Sequence, residues 1–152
     1  MMLLLPRAAR FALLAVLDVA LHARARPVSS KELAARHDFP PRRLEGLLQA
    51  LVRAGILRSL RGPSGGYELA RERRRLTAAE IVRVALRAES DDEGGCGRGS
   101  DASLEAALTP VLEQIEACVF ERLEGISLDD LHASALARGF GERQDAGGDF
   151  DI

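Results

Sequence analysis

The sequence predicts a mainly α-helical protein that contains one short two-stranded hairpin. Aromatic residues make up 4% of the 152 residues and tryptophan is absent, so leucine, alanine and valine must fill the core, which suits packed helices. Apolar residues recur at helical spacing in several segments, and one glycine-rich stretch separates two short runs of β-type residues. At this length the chain should form one domain, or one small domain with an appendage.

Two helices and a turn are predicted in the first forty residues. The first helix should run from Ala8 to Ala23, and its many apolar residues place it near the centre of the bundle. The capping-box pattern Ser29-x-x-Glu32 starts a second helix that ends near His37. A turn at 38–40 then leads into a longer amphipathic helix, and this order is typical of a helix-turn-helix.

The third helix should begin at Pro41, end near Gly55 and present two different faces. Proline is favoured at a first helical position, and glycine readily takes the left-handed conformation that ends a helix. The apolar stripe consists of Leu44, Leu47, Leu48, Leu51 and Val52. The opposite face carries Arg42, Gly46, Gln49 and Arg53, with Arg43 and Glu45 on its flanks.

A basic, glycine-rich hairpin follows this helix. Ile56 to Leu60 and Tyr67 to Ala70 should form its strands, joined by the loop at 61–66. A helix followed by such a hairpin is the layout of a winged helix-turn-helix, in which the helix enters a major groove and the wing reaches the backbone or minor groove. Arg58 and Arg61 would supply charge there, and the glycines would let the backbone approach the duplex.

The remainder of the chain is predicted to contain three more helices. Thr77-x-x-Glu80 opens a helix through Leu86, and an acidic, glycine-rich loop follows at 89–100. The segment 103–124 returns to helical spacing, and Pro110 predicts either a kink or a restart capped by Thr109. Ser127-x-x-Asp130 caps a last helix that ends near Arg138.

These elements divide the chain into four parts. We expect a winged helix-turn-helix at 1–86, the loop at 87–102, a dimerisation helix with a final short helix at 103–138, and a loose acidic tail at 139–152. A lone amphipathic helix at the edge of a small domain needs a partner for its apolar stripe, and a copy of itself across a two-fold axis is the simplest one.

The net charge of −2 conceals a strong asymmetry along the chain. Residues 1–75 hold 15 Arg and Lys against 6 Asp and Glu, whereas residues 76–152 hold 6 against 17. A basic half suits a polyanion, since neutralised phosphates release their condensed counterions. The cluster Arg71, Arg73, Arg74 and Arg75 either follows a DNA backbone or is solvated surface.

Other protein classes receive less support from the sequence. The N-terminal segment imitates a signal peptide, but Asp18 interrupts the apolar run, and we expect a cytoplasmic protein with no membrane span. His22, His37 and His132 are scattered and no nucleophile or phosphate-binding motif is present, so an enzyme is not expected. A helical module that binds another protein, with vestigial DNA contact, remains the alternative, because the acidic half offers a second interaction surface.

Four stretches resemble the Rrf2 family of bacterial winged-helix regulators, the IscR, NsrR and CymR type. They are Phe11–Ala23, Pro40–Leu48, Ala54–Arg71 and Leu76–Val84, and a shorter match recurs at Ile126–Leu131. The resemblance implies a transcriptional regulator, a repressor in our interpretation, that binds a pseudo-palindromic operator as a homodimer through the helix from Leu104 to Leu123. It also implies that Arg61 enters the minor groove.

The residues proposed to contact DNA come from the helix-turn-helix and the wing. They are Arg7, Ser29, Lys31, Pro41, Arg42, Arg43, Glu45, Gln49, Arg58, Arg61, Gly62, Ser64, Gly65 and Gly66.

The cofactor of the cluster-binding members is not expected here. Those members carry three cysteines in the loop before the dimer helix, whereas this loop contains only Cys96, with Ser103 and Ala106 where a later cysteine and a histidine would stand. An iron-sulfur cluster needs about four ligands. Cys96 is a candidate redox thiol, and Cys118 is expected to pack as a small apolar side chain. The sequence does not identify an effector.

Overall fold

The computed structural model describes residues 5–24, 26–92 and 102–141. It confirms the predicted fold class, a mainly helical protein with one two-stranded antiparallel sheet. The helices are α1 (Arg7–His22), α2 (Ser30–His37), α3 (Pro41–Arg53), α4 (Ala78–Asp92), α5 (Ala102–Glu124) and α6 (Leu128–Ala137). The strands are β1 (Leu57–Leu60) and β2 (Gly66–Leu69), and a 3₁₀ turn at Arg73–Arg75 follows the sheet.

The core forms around α1, which lies where its composition predicted. Ala12, Ala15 and Val16 of α1 are completely buried, and α1 packs mainly on α4. The leucine stripe of α3 closes the core from another side, because Leu48 and Leu51 are also completely buried. Small side chains on α1 allow the helices to approach closely, so alanine and leucine can fill this core without tryptophan.

Each of the three predicted capping boxes is present. Ser29 Oγ accepts a hydrogen bond from the amide of Glu32 at 3.2 Å, and the Glu32 carboxylate accepts from the amide of Ser29 at 2.8 Å. Thr77 with Glu80 and Ser127 with Asp130 repeat the arrangement at α4 and α6. These caps satisfy amides that the first turn of a helix leaves without partners.

The wing is joined to the helix-turn-helix by backbone hydrogen bonds. Strands β1 and β2 pair from Leu57 with Leu69 to Leu60 with Gly66. Val28, which directly precedes the cap of α2, exchanges two hydrogen bonds with Tyr67, at 3.0 and 2.8 Å. The base of the hairpin and the start of the helix-turn-helix therefore form one rigid unit.

The second half of the chain returns to the wing domain after α5. The amide of Leu128 donates to the carbonyl of Leu76 at 2.8 Å, and the amide of Ala78 donates to that of Ile126 at 2.9 Å. These bonds tie the entrance of α6 to the entrance of α4. The exit of α5 is therefore fixed to the segment that follows the wing.

Three local predictions need correction. Helix α4 continues to Asp92, so the first acidic residues of the predicted 87–102 loop are helical. Of the two alternatives at Pro110, a kink or a restart, the restart is wrong: helix α5 runs through Pro110, and the Thr109 hydroxyl donates to the carbonyl of Glu105 at 2.8 Å instead of capping a new helix. Cys118 is exposed on α5 within one chain, so it does not pack in the core as expected.

Candidate nucleic-acid interface

The two faces of α3 are separated as the sequence predicted. Leu44, Leu47, Leu48 and Leu51 are buried. The outward residues Pro41, Arg42, Arg43, Glu45, Gly46, Gln49 and Arg53 are all exposed. Because the apolar stripe fixes the helix against the core, the polar face is held outward without any contribution from its own side chains.

The tip of the wing is exposed, and its last two glycines are needed for packing within the protein. Arg61, Gly62 and Ser64 are exposed, whereas Gly65 and Gly66 are half-buried. A Cβ on Gly65 would lie 2.3 Å from the carbonyl oxygen of Leu60, and one on Gly66 would lie 2.6 Å from that of Val28. A side chain at either position would thus force the hairpin away from its own backbone.

Helix α3 acts electrostatically on β2 and is bonded to the end of the wing. Burial, and to a smaller extent the negative charge of Glu45, raises the pKa of Tyr67 in β2. The guanidinium of Arg71 donates to the carbonyl of Gly55 at 3.1 Å and joins the end of the wing to the exit of α3. This bond ties the wing to α3, and Arg42 and Arg43 of the helix and Arg61 of the wing are all exposed.

The arginines fall into two groups that the sequence did not separate. Within the part of the chain that the structure describes, Arg42, Arg43 and Arg61 form no ion pair. Arg58 pairs with Glu68 across the wing, and Arg71 pairs with Glu80 at 3.2 Å. Arg73 and Arg74 pair with Asp129, and Arg75 lies 4.0 Å from Glu72. Arg71 and Arg73 are therefore committed to contacts within the protein, whereas Arg74 and Arg75 remain 84% and 79% exposed.

Three further predicted contact residues lie at the start of a helix. Arg7 is exposed and its guanidinium lies 5.5 Å from the centre of the Phe11 ring. Lys31 is exposed on α2. The hydroxyl of Ser29 is engaged with Glu32 in the capping box, so its first role is to begin α2. The amide of Ser29, then the Arg26 guanidinium and the Ser29 hydroxyl, donate to the Glu32 carboxylate and lower its pKa to about 2.

Asp18 forms a buried polar cluster that sequence reasoning missed. This α1 residue is only 4% exposed. Its carboxylate contacts Arg36 and lies 2.6 Å from His37 Nε2, both in the last turn of α2, and 3.0 Å from His22 Nδ1. The contacts fasten the end of α2, and hence the turn into α3, to the central helix. The available signal was an acidic residue within an apolar helical stripe.

His132 forms the second buried polar contact. It is 4% exposed on α6, and Arg73 Nη1 donates to its Nε2 at 2.7 Å. Burial, followed by the positive charges of Arg73 and Arg24, lowers the pKa of His132. The neutral ring therefore joins α6 to the 3₁₀ turn behind the wing.

Helix α5 exposes a row of large apolar side chains. Leu104, Leu108, Val111, Leu112 and Ile115 are each more than half exposed. Phe120 and Leu123, towards the end of the helix, pack against the core of their own chain. The predicted apolar stripe therefore has two parts: the side chains from Leu104 to Ile115 are exposed, and those near the end of the helix are packed within the chain. No helix among the described residues is long and apolar enough to cross a bilayer.

The candidate metal and redox residues give no assembled site in the part that the structure covers. No group of three or more His, Cys, Asp or Glu side chains in residues 5–24, 26–92 and 102–141 is placed to hold a metal ion. Cys96, the candidate redox thiol, lies outside the described residues.

The comparison with known proteins identifies the family. Residues 5–134 match the Rrf2 family model, described as an iron-dependent transcriptional regulator. The HTH-type transcriptional regulator IscR of Xenorhabdus nematophila is 33% identical over 143 residues, which cover 90% of this chain and 84% of that protein.

Two solved structures share the fold. IscR of T. potens has a TM-score of 0.66 at 31% identity, with 88% of each chain covered. CymR, the global cysteine regulator of B. subtilis, has a TM-score of 0.64 at 28% identity, covering 88% of this chain and 98% of that one. The family consists of transcriptional regulators and not of enzymes, so the enzyme hypothesis is set aside. With its winged helix and its match along most of the sequence, this chain belongs to the Rrf2 family of DNA-binding transcriptional regulators.

Proposed function

We propose that this regulator binds its operator through the outer face of α3 and the tip of the wing. The observation that carries the proposal is that Arg42 and Arg43 on α3 and Arg61 on the wing are exposed and form no ion pair with a described residue. Unpaired guanidinium groups can displace the cations around a duplex, whereas paired ones must first give up a carboxylate. The first turns of α3 enter the major groove, and Arg61 enters the minor groove.

Residues that read bases are distinguished from residues that bind phosphate. Glu45 and Gln49 carry no positive charge and lie on the exposed face of α3, where they form hydrogen bonds with base edges. Arg7, Lys31, Arg43 and the backbone at Gly62, Ser64, Gly65 and Gly66 contact the backbone of the duplex. Arg58 is already paired with Glu68 and contributes less than Arg61.

The regulator acts as a homodimer on a pseudo-palindromic site, and it acts as a repressor in the cytoplasm. The row from Leu104 to Ile115 extends about 17 Å along α5 and is too apolar to remain in water. A second copy across a two-fold axis supplies the same row to cover it. The acidic residues beside the row, among them Glu113 and Glu116, disfavour DNA as its partner.

The proposed regulator works without an iron-sulfur cluster. The whole chain contains two cysteines, and one of them, Cys118, lies within α5. Four ligands of the usual kind are therefore not available from one subunit. Iron and acid-labile sulfide measured on anaerobically purified protein should both be absent, and stoichiometric amounts of both would contradict this part of the proposal.

Operator binding by single-arginine variants tests the docking surface. Arg42→Ala and Arg61→Ala should each weaken binding to the promoter region of the protein's own operon about tenfold or more, and each should reduce the salt dependence by about one phosphate contact. Arg87→Ala, an exposed arginine on α4, is the matched control and should bind like wild type. Wild-type affinity in both test variants would overturn the docking model.

A further inference from the structure

A cleft of about 460 Å³ opens behind the wing, apart from the proposed DNA surface. The end of α1, strand β2, the 3₁₀ turn and the start of α6 surround it. None of the residues proposed to contact DNA lines it. The volume lies within the range of about 300–1,000 Å³ that is usual for small-molecule sites.

The floor of the cleft is apolar because α1 presents small side chains there. Val19, Ala20 and Ala23 lie on one side, and Leu69 of β2 lies opposite. Val19 is completely buried beneath this floor and Ala20 is 8% exposed, so the accessible apolar surface comes mainly from the half-buried Ala23 and Leu69. A short hydrocarbon chain could cover this floor without displacing any charged group.

Two of the arginines around the floor are available to an anion. Arg71 is held by Glu80 and the carbonyl of Gly55, and Arg73 is held by His132 and Asp129. Arg74 is 84% exposed and has only a 3.6 Å contact with Asp129. Arg24 is exposed at the end of α1 and forms no ion pair among the described residues.

Arg24 lines the cleft just beyond the end of α1. It is one of the two cations whose fields lower the pKa of His132. Ion pairs within the protein use Glu68, share Asp129 between two arginines and place Glu72 4.0 Å from Arg75, so none of the three acids that line the cleft pairs with Arg24. A carboxylate could accept two parallel hydrogen bonds from such a guanidinium.

We propose that this cleft binds a small organic carboxylate, with its carboxylate on Arg24 and Arg74 and its hydrocarbon part on Ala23 and Leu69. The inference goes beyond DNA binding and does not depend on the proposed operator contacts. Asp129 competes with the ligand for Arg74, so the ligand exchanges with an internal ion pair at the base of the wing.

Calorimetric titration of the full chain with isovalerate tests the inference. Isovaleramide, which has the same shape without the charge, and inorganic phosphate, which has charge without hydrocarbon, are the matched probes. Isovalerate should bind saturably at one site per chain and at least tenfold more tightly than either probe. Equal binding of the amide or of phosphate would overturn the proposal, and so would the lack of a saturable signal for isovalerate.

Variants of surface residues test whether isovalerate binds in this cleft. Arg24→Gln should weaken isovalerate binding at least tenfold, while Arg87→Gln on α4 should leave it unchanged. Asp129→Asn should strengthen it severalfold, because the substitution frees Arg74. Circular dichroism checks that each variant is folded, and wild-type affinity in a folded Arg24→Gln variant would place the ligand elsewhere and overturn the assignment.

Discussion

Gly65 and Gly46 lie within twenty residues of each other, and the structure requires glycine at only one of them. Gly65 faces the carbonyl of Leu60 at a distance that leaves no room for a Cβ, whereas nothing lies within 4 Å of the corresponding Cβ position on Gly46. Gly46 is also in the interior of α3, where glycine costs conformational entropy. Gly65 thus shapes the wing, and Gly46 keeps the outer face of α3 free of a side chain.

Substitution of Gly65 should destabilise the fold. Gly65→Ala forces the hairpin to shift, and we expect the free energy of unfolding to fall by about 1–3 kcal/mol, the range typical of an overpacked site. Urea unfolding followed by circular dichroism measures the change. An unchanged free energy of unfolding would show that the hairpin is free to move away from the new methyl group.

Substitution of Gly46 should have the opposite effect on stability. Gly46→Ala should raise the free energy of unfolding by about 0.5–1 kcal/mol, because alanine is the better helix former. The same methyl group would lie on the proposed DNA surface and should weaken operator binding. A variant that is more stable and binds DNA as well as wild type would contradict the placement of Gly46 against the groove.

The sequence predicted which side chains are exposed more reliably than it predicted which of them form ion pairs. Leucine periodicity was sufficient to identify the outer face of α3, because burial of one stripe determines where every other residue points. The pattern did not show that Arg58 is neutralised by Glu68, since that contact depends on the strand register. It also did not reveal the cluster around Asp18, because Arg36 and His37 are eighteen and nineteen residues away and belong to another helix.

At the scale of elements, the Asp18 carboxylate links α1 to the last turn of α2, in addition to the apolar contacts of Leu33 in the core. Asp18→Ala would leave Arg36 with only its 3.8 Å contact with Glu32, and removal of one member of a buried pair typically costs up to about 3–5 kcal/mol. Urea unfolding should show a loss of this size. Glu124→Gln, which breaks the more exposed pair with Arg83, is the control and should cost about 1 kcal/mol or less.

Helix α6 and the turn behind the wing are joined by His132, and this contact gives stability a defined pH dependence. Its pKa in the folded chain lies below the ordinary value of 6.5. As the pH falls below 6.5, the unfolded chain takes up a proton first, so the contribution of His132 is complete above that pH and is lost as the pH falls through the folded pKa.

Unfolding at two pH values tests this linkage. Between pH 7.5 and pH 5.5, wild type should lose more stability than His132→Asn, because the variant lacks the group that titrates. His22 and His37 are present in both proteins, so their contributions cancel in the comparison. Equal losses in the two proteins would show that the Arg73 contact does not depend on the protonation of His132.

At the scale of the whole molecule, the chain consists of a DNA-binding part and a helix, α5, that exposes apolar surface. The wing and α3 are fastened to the core by Val28, Arg71 and the Asp18 cluster. The row on α5 has no such partner within the described chain, yet its exit is fixed to the segment behind the wing through Leu128. Association of two chains through α5 would therefore set the distance between their two winged helices.

Loss of the dimer should abolish tight operator binding without unfolding the chain. Leu108→Glu combined with Ile115→Glu places charges on two side chains that are each 53% exposed, so neither change disturbs the core of the subunit. We expect a monomer by light scattering, unchanged unfolding at low protein concentration, and an operator Kd raised by about 100-fold or more, because the second half-site no longer benefits from tethering. Glu116→Gln, on the same helix, is the control and should remain dimeric. A double variant that stays dimeric would mean that two copies associate through another surface, and one that is monomeric yet binds the operator tightly would mean that a single winged helix is sufficient.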